Sequence, residues 1–121
     1  MKASCLFGPT PSNVGVGRHF VIARLTEWGC TDVDAAALLV SELLTNAISH
    51  VGSVVGVEVE MDDRGITVGV HDDSAQLPIT APCDDLAEHG RGMLLVDTLA
   101  TTWGSREWPD HTKTVWFQLD R

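Results

Sequence analysis

Residues 40–50 read VSELLTNAISH and form the centre of the most strongly helical stretch of the chain. The surrounding run from Asp34 to about His50 is rich in good helix formers and contains neither glycine nor proline, which predicts a helix. Glu42, Asn46 and His50 are spaced by four residues and therefore share one helix face. The opposite stripe is apolar and suits burial in a core: Leu39, Leu43, Ala47 and Val51.

The polar row on this helix has two interpretations that spacing alone leaves open. The simpler one is a solvated helix face. The second is metal and acid–base chemistry, because the side-chain carbonyl of Asn46 is an oxygen ligand of the kind that Mg²⁺ prefers. Glu42 could then accept a proton from an attacking hydroxyl group.

Toward the N-terminus, the chain predicts one strand and one helix. Residues 3–7 form a short apolar run, which the Gly8-Pro9-Thr10-Pro11 segment interrupts. A helix is expected from a cap at Ser12 or Asn13 to about Trp28, with Gly29 as its stop signal.

Toward the C-terminus, two hairpins and a third helix are expected. Residues 54–61 alternate between apolar and polar side chains and pair with residues 66–71 across an Asp-Asp-Arg-Gly turn. Residues 72–89 lack periodicity and predict a long loop, after which Gly90 opens a helix to about Thr101. The last hairpin joins 102–108 to 113–119, with Trp103 and Trp116 expected to pair across it. Three helices and four or five strands indicate an α+β, two-layer sandwich of a single domain over residues 1–121.

Two further segments are candidates for ligand binding, and each also has a simpler structural interpretation. Asp72 directly follows a predicted strand, where a carboxylate either caps a turn or accepts a hydrogen bond from an exocyclic amine. The Gly90-Arg91-Gly92-Met93 segment is either a flexible helix start or an anion site, since glycines allow close backbone approach and helix N-termini attract anions.

Composition restricts the partners. The 121 residues include 8 Lys+Arg and 17 Asp+Glu, for a net charge of −9. That balance argues against direct binding of nucleic acid or an anionic membrane and permits a basic protein partner. Three widely spaced cysteines without a CxxC motif, and the absence of a signal-peptide pattern, predict a cytoplasmic protein with reduced thiols.

The order of these motifs resembles the GHKL, or Bergerat-fold, ATPase superfamily. The resemblance rests on VSELLTNAISH, the strand-end Asp72, the GRGM segment opening a helix and KTVWFQL in the last strand. Within the superfamily, the chain is similar to the small bacterial anti-sigma-factor serine/threonine kinases. The resemblance implies a mostly antiparallel mixed sheet with helices packed on one face. It also implies ATP and Mg²⁺ as cofactors.

The resemblance also implies roles for individual residues. Asn46 would hold the Mg²⁺ that bridges the ATP phosphates, Glu42 would be the catalytic general base, and Asp72 would bind the adenine amine. Thr114 in the last strand would lie near the adenine, and residues 73–89 would form a lid. Further nucleotide-binding positions are implied next to these: His50 after the Asn, and Gly90, Arg91, Gly92 and Met93 around the phosphates.

The implied function is phosphorylation of a small anti-anti-sigma (STAS-type) protein on serine, together with sequestration of a sigma factor. Small relatives often associate in pairs, so a homodimer is a further expectation. A chain of 121 residues leaves no room for a phosphoacceptor helix pair or a transducer domain, so the phosphoryl acceptor is expected in trans.

Two other hypotheses remain at this stage. After Asp72 the chain reads Asp-Ser-Ala-Gln, without the glycines of the DxGxG pattern common in the superfamily, which favours a nucleotide-responsive binding switch without turnover. The other is a metal site of His71, Asp72 and Asp73, with His89 or His111. Consecutive strand residues point in alternating directions, so three in a row cannot face one metal.

Overall fold

The computed structural model describes residues 1–51, 54–72, 87–110 and 112–120, and the side chains of residues 49–51 and 87–92 are not described within these ranges. This part of the chain contains three helices and five strands. In chain order they are β1 (Lys2–Phe7), α1 (Asn13–Glu27), α2 (Asp34–Val51), β2 (Val55–Met61), β3 (Gly65–Asp72), α3 (Ala87–Leu99), β4 (Thr102–Glu107) and β5 (Lys113–Asp120).

The five strands form one sheet in the order β1-β2-β3-β5-β4, and every pair of neighbours is antiparallel. Both predicted hairpins are present as β2–β3 and β4–β5. The β3–β5 pairing joins them, and it places Asp72 opposite Lys113 and His71 opposite Thr114. The predicted α+β class is confirmed.

All three helices pack on one side of the sheet, which we call the helical face. Helix α1 lies against β1 and β2, α2 lies against β3, and α3 lies beside β4. Alternation along the strands supplies the apolar residues of this face, as in β2, where every second residue from Val55 to Met61 is buried. The opposite side has no helix packed on it in the described part of the chain, and we call it the open face.

The crossing of α1 and α2 is close because a glycine lies in it. A Cβ atom on Gly17 would come within 2.5 Å of the Leu44 Cδ1 atom, so only glycine fits without repacking. Val21 and Leu25 of the same helix are fully buried. The helix ends at Glu27, and Gly29 beyond its C-cap has a φ of 89°, in the left-handed region that glycine tolerates.

Two local contacts differ from the predictions: the cap of α1 and the pairing of two tryptophans. Ser12 makes no side-chain cap hydrogen bond, and Asn13 Nδ2 instead donates to the Gly8 carbonyl oxygen at 2.8 Å. Trp103 and Trp116 do not pair, because the β4–β5 register sets Trp103 opposite Phe117 and Gly104 opposite Trp116. Adjacent strand residues point to opposite faces, so the two indole rings lie on different sides of the sheet.

The β2–β3 turn is held by one carboxylate. Asp62 Oδ1 accepts hydrogen bonds from the backbone N–H groups of Arg64 at 2.8 Å and Gly65 at 3.1 Å. These two bonds favour the charged form and lower the pKa of Asp62 from its ordinary value of 3.8. The turn between β4 and β5 has an analogous carboxylate, Asp110, whose Oδ1 accepts from the Thr112 hydroxyl and backbone N–H groups.

Candidate nucleotide site on the helical face

Helix α2 brings Glu42 and Asn46 to the border of the core. Leu39, Leu43 and Ala47 are buried, which confirms the predicted apolar stripe in the described part of the helix. Glu42 and Asn46 are each half-buried, so their side chains are neither in the core nor on a fully solvated face. His50 belongs to the last turn of the same helix, and its side chain lies outside the described residues.

Asp72 is a buried carboxylate at the end of an apolar row. Ile66, Val68 and Val70 of β3 are buried on the helical face, and alternation places Asp72 on the same face with 2% of its surface exposed. Since α2 is the helix packed against β3, Asp72 lies on the same side of the sheet as Glu42 and Asn46. Burial of a charge is costly unless other groups compensate for it, so Asp72 is a candidate site residue rather than an ordinary member of the core.

Lys113 is the second buried charged residue in the described part of the chain, with 6% exposure. It is the register partner of Asp72 across β3 and β5, and its face is that of Val115 and Phe117, which are also buried. A positive charge therefore faces the helical layer beside the carboxylate. The sequence contained the signal, because counting back by two from the apolar Phe117 and Val115 leads to Lys113.

Thr114 lies on the open face, away from this group. Its hydroxyl oxygen is 2.8 Å from His71 Nδ1 and accepts a hydrogen bond from Trp108 Nε1 at 3.0 Å. The expectation that Thr114 lies near the same adenine as Asp72 disagrees with this arrangement, because a strand directs adjacent side chains to opposite sides. Lys113 is the residue of β5 that shares the side of Asp72.

The GRGM segment is inside a helix rather than before it. Within the described residues helix α3 extends from Ala87 to Leu99, so the backbone of Gly90–Gly92 is already helical. The Met93 side chain is 1% exposed and belongs to the hydrophobic core, not to the edge of a phosphate site. The side chain of Arg91 and the predicted lid over residues 73–86 lie outside the described residues.

The described residues do not support the alternative hypothesis of a metal site around His71 and Asp72. His71 faces the open side and Asp72 the helical side, so these two residues cannot bind one ion together. Across the described residues, no group of three or more His, Cys, Asp or Glu side chains is placed to hold a metal ion. Asp73 and His111, the other residues of that hypothesis, are outside the described ranges, as is the side chain of His89.

These features define a two-layer α+β domain with a polar site between its central strand and its central helix. The family profile of the histidine kinase-like ATPase domain matches residues 7–119, which is nearly the whole chain. The chain therefore belongs to the histidine kinase-like ATPase family, and the family implies ATP binding. A search of curated proteins finds no match. Among the described residues, no helix is both long enough and apolar enough to span a bilayer.

The residues on the helical face fit a magnesium nucleotide in their chemistry. Asn46 offers a carbonyl oxygen and Glu42 a carboxylate, and oxygen atoms are the ligands that Mg²⁺ takes together with substrate phosphates. Asp72 offers a buried carboxylate whose oxygen atoms can accept a hydrogen bond from a base amine.

Proposed function

We propose that this chain is an ATP-binding regulatory protein that acts as an anti-sigma-factor serine/threonine kinase. It phosphorylates a small anti-anti-sigma protein and sequesters a sigma factor. The observation that carries the proposal is the position of Glu42, Asn46 and Asp72 on one side of the sheet, within a chain of the histidine kinase-like ATPase family.

Nucleotide recognition is assigned to three groups. Asp72 accepts a hydrogen bond from the exocyclic amine of adenine, which its burial at the strand end supports. Asn46 would hold Mg²⁺ through its side-chain oxygen, and the ion would supply neutralisation of the phosphate charge. Lys113 faces the helical layer beside Asp72 and adds positive charge to a protein whose net charge is −9.

Glu42 is the proposed catalytic base. Its carboxylate takes the proton of a serine hydroxyl group on the antagonist while the serine oxygen forms a bond to the γ-phosphorus. The bond from that phosphorus to the bridging oxygen breaks, and ADP leaves with the electron pair. The half-buried position of Glu42 at the border of α2 is compatible with access by a protein substrate.

The first turns of α3 are proposed to bind the phosphates. The first four backbone N–H groups of a helix have no partner within the helix, so the N-terminal end of α3 offers donors to an anion. Arg91 follows directly, and a guanidinium group makes strong charge-assisted bonds to phosphoryl oxygens. A net negative protein needs such local positive groups to bind another polyanion.

The kinase assignment is tested by transfer of labelled phosphate from Mg-ATP to serine of candidate anti-anti-sigma proteins from the same genome. Glu42→Gln keeps the size of the side chain but removes the base, so we expect transfer to fall by about a hundredfold or more while ATP binding persists. Glu27→Gln is the matched control, because Glu27 is an exposed glutamate that pairs with Arg24 on α1. Full transfer by Glu42→Gln would contradict the assigned role.

A second candidate function is a nucleotide-responsive switch that binds its partner without turnover. The sequence after Asp72, which lacks the glycines of the DxGxG pattern, favours it. In that case Mg-ATP changes the affinity for the sigma factor or the antagonist, and no phosphoserine forms. Affinity measurements with ATP and with a non-hydrolysable analogue separate the two functions, since a switch responds equally to both nucleotides.

A further inference from the structure

Two of the buried residues in the described part of the chain are charged, and they are neighbours in the sheet. Asp72 is 2% exposed and Lys113 is 6% exposed. They are register partners across β3 and β5, and both continue rows of buried apolar residues on the helical face. Residues directly opposite each other in an antiparallel pair have Cβ atoms about 4.5–5.5 Å apart. A hydrogen-bond acceptor and a hydrogen-bond donor therefore start side by side at this end of the sheet.

The environment of Lys113 differs from that of a surface lysine. The sequence contains two lysines, Lys2 and Lys113. The side chain of Lys2 is 58% exposed on strand β1 and forms an ion pair with Glu58 at 3.4 Å. Transfer of an ammonium group from water into a protein is costly unless the protein supplies compensating groups. A lysine that the fold buries beside Asp72 is therefore a second candidate site residue.

Thr114, the next residue of β5, does not face the same side as Asp72. Its hydroxyl group is on the open face, where it contacts His71 and Trp108. Adjacent strand residues point to opposite sides of a sheet, so only one of Lys113 and Thr114 can face the helical layer. The contact that β5 makes with a nucleotide base beside Asp72 therefore falls to Lys113.

The adenine base has a donor and an acceptor next to each other. Its exocyclic N6 amine donates hydrogen bonds, whereas the ring nitrogens on either side of that amine, N1 and N7, accept them. An ionised carboxylate only accepts hydrogen bonds, and an ammonium group only donates them. Asp72 alone would recognise an amine. Asp72 and Lys113 together would recognise an amine that has an acceptor beside it.

We propose that Lys113 is a specificity-determining residue, which donates a hydrogen bond to the ring nitrogen beside the amine bound by Asp72. The inference rests on the proposed function, because it takes Asp72 as the acceptor of the adenine amine. It gives the positive charge of Lys113 a target on the base, in addition to its general attraction for a polyanion. An analogue with a C–H group in place of that nitrogen leaves the ammonium group without its acceptor, and sites built around a hydrogen bond reject such analogues.

The experiment is calorimetric titration with the Mg²⁺ complexes of ATP, 1-deaza-ATP and 7-deaza-ATP, in which a C–H group replaces N1 or N7. In the wild type we expect one analogue to bind about tenfold to a hundredfold more weakly than ATP, and that analogue identifies the nitrogen. Lys113→Met keeps an unbranched side chain but removes the donor. It should lose about tenfold to a hundredfold in ATP affinity and bind ATP and that analogue nearly equally.

Two further variants serve as controls. Lys2→Met removes the exposed lysine and should leave both the ATP affinity and the discrimination between nucleotides unchanged. Lys113→Gln retains an N–H donor on a shorter, uncharged side chain and should discriminate less than the wild type, so the test does not depend on the folding of Lys113→Met alone. Circular dichroism and thermal unfolding verify that each variant folds.

Discrimination that persists in full in Lys113→Met would overturn the proposal, because another group would then recognise the nitrogen. Equal binding of all three nucleotides by the wild type would also overturn it, and Lys113 would then act only through its charge. In both cases the wild type still binds ATP, so the proposed function is unaffected. A wild type that binds none of the three nucleotides would contradict the proposed function itself.

Discussion

The two faces of the central strand β3 show how one segment serves two purposes. Its helical face presents Ile66, Val68 and Val70, all buried, and then the carboxylate of Asp72. Its open face presents Thr67, Gly69 and His71, none of which is buried in the core. The side chains on the helical face change from apolar to charged at the strand end. The side chains on the open face are small or polar along the whole strand. The charged end of an apolar row is therefore what marks the nucleotide side.

The same contrast continues in β5, the neighbouring strand. Val115 and Phe117 are buried on the helical face, and Lys113 is the charged residue at the end of that row. Trp116 and Thr114 lie on the open face, where their neighbours are Gly104 and His71. Burial on one face thus stabilises the fold, and the other face remains partly accessible to solvent.

The largest expected difference between the two faces is in stability. Phe117→Ala removes a fully buried ring from the core and should lower the free energy of unfolding by about 3–5 kcal/mol. Trp116→Ala removes a larger ring from the adjacent position on the open face, yet it should cost only about 1 kcal/mol because the ring is not buried. Denaturant unfolding of both variants measures the difference.

The measurement is made at low protein concentration, so that self-association does not add to the apparent stability. Equal losses from the two variants would show that the open face contributes to the monomer core. That result would remove the distinction between the faces.

A smaller effect concerns Asp62, the carboxylate that holds the turn between β2 and β3. Asp62 is exposed, and its hydrogen bonds to the Arg64 and Gly65 N–H groups lower its pKa, so its contribution to stability is present above the unfolded-state pKa. That contribution is lost as the pH falls through the lower, folded-state pKa. The stability difference between wild type and Asp62→Ala should therefore be constant near neutral pH and shrink in acid.

Thermal unfolding at a series of pH values measures this effect, with Asp62→Asn as the control that keeps an acceptor oxygen but cannot ionise. Asp62→Asn should follow the wild type near neutral pH more closely than Asp62→Ala does. A stability difference that grows in acid would contradict the assigned hydrogen bonds.

Local patterns predicted most of the fold. Alternation in residues 55–61 and 66–71, with a turn sequence between them, was sufficient for the first hairpin, because pairing across a short turn is decided locally. The helix of VSELLTNAISH and its apolar stripe were also predictable from composition and spacing. The pairing of β3 with β5 joins distant segments, and neither segment contains a signal for it.

The site was predicted less completely, for physical reasons. Thr114 was selected by resemblance, whereas alternation from Phe117 already assigns that side of the strand to Lys113. The start of α3 was expected at Gly90, but residues 87–89 are already helical. The roles of Glu42, Asn46 and Asp72 remain predictions, and their placement on one side of the sheet is compatible with them.

The central claim is that the helical face binds nucleotide and the open face does not. Calorimetric titration with Mg-ATP tests it in the wild type, in Asp72→Asn and in Thr114→Val, which replace adjacent members of the two faces by isosteres. We predict binding by the wild type, a loss of about tenfold to a hundredfold in Asp72→Asn, and near wild-type affinity in Thr114→Val. Absence of binding in the wild type, or an equal loss in Thr114→Val, would contradict the account.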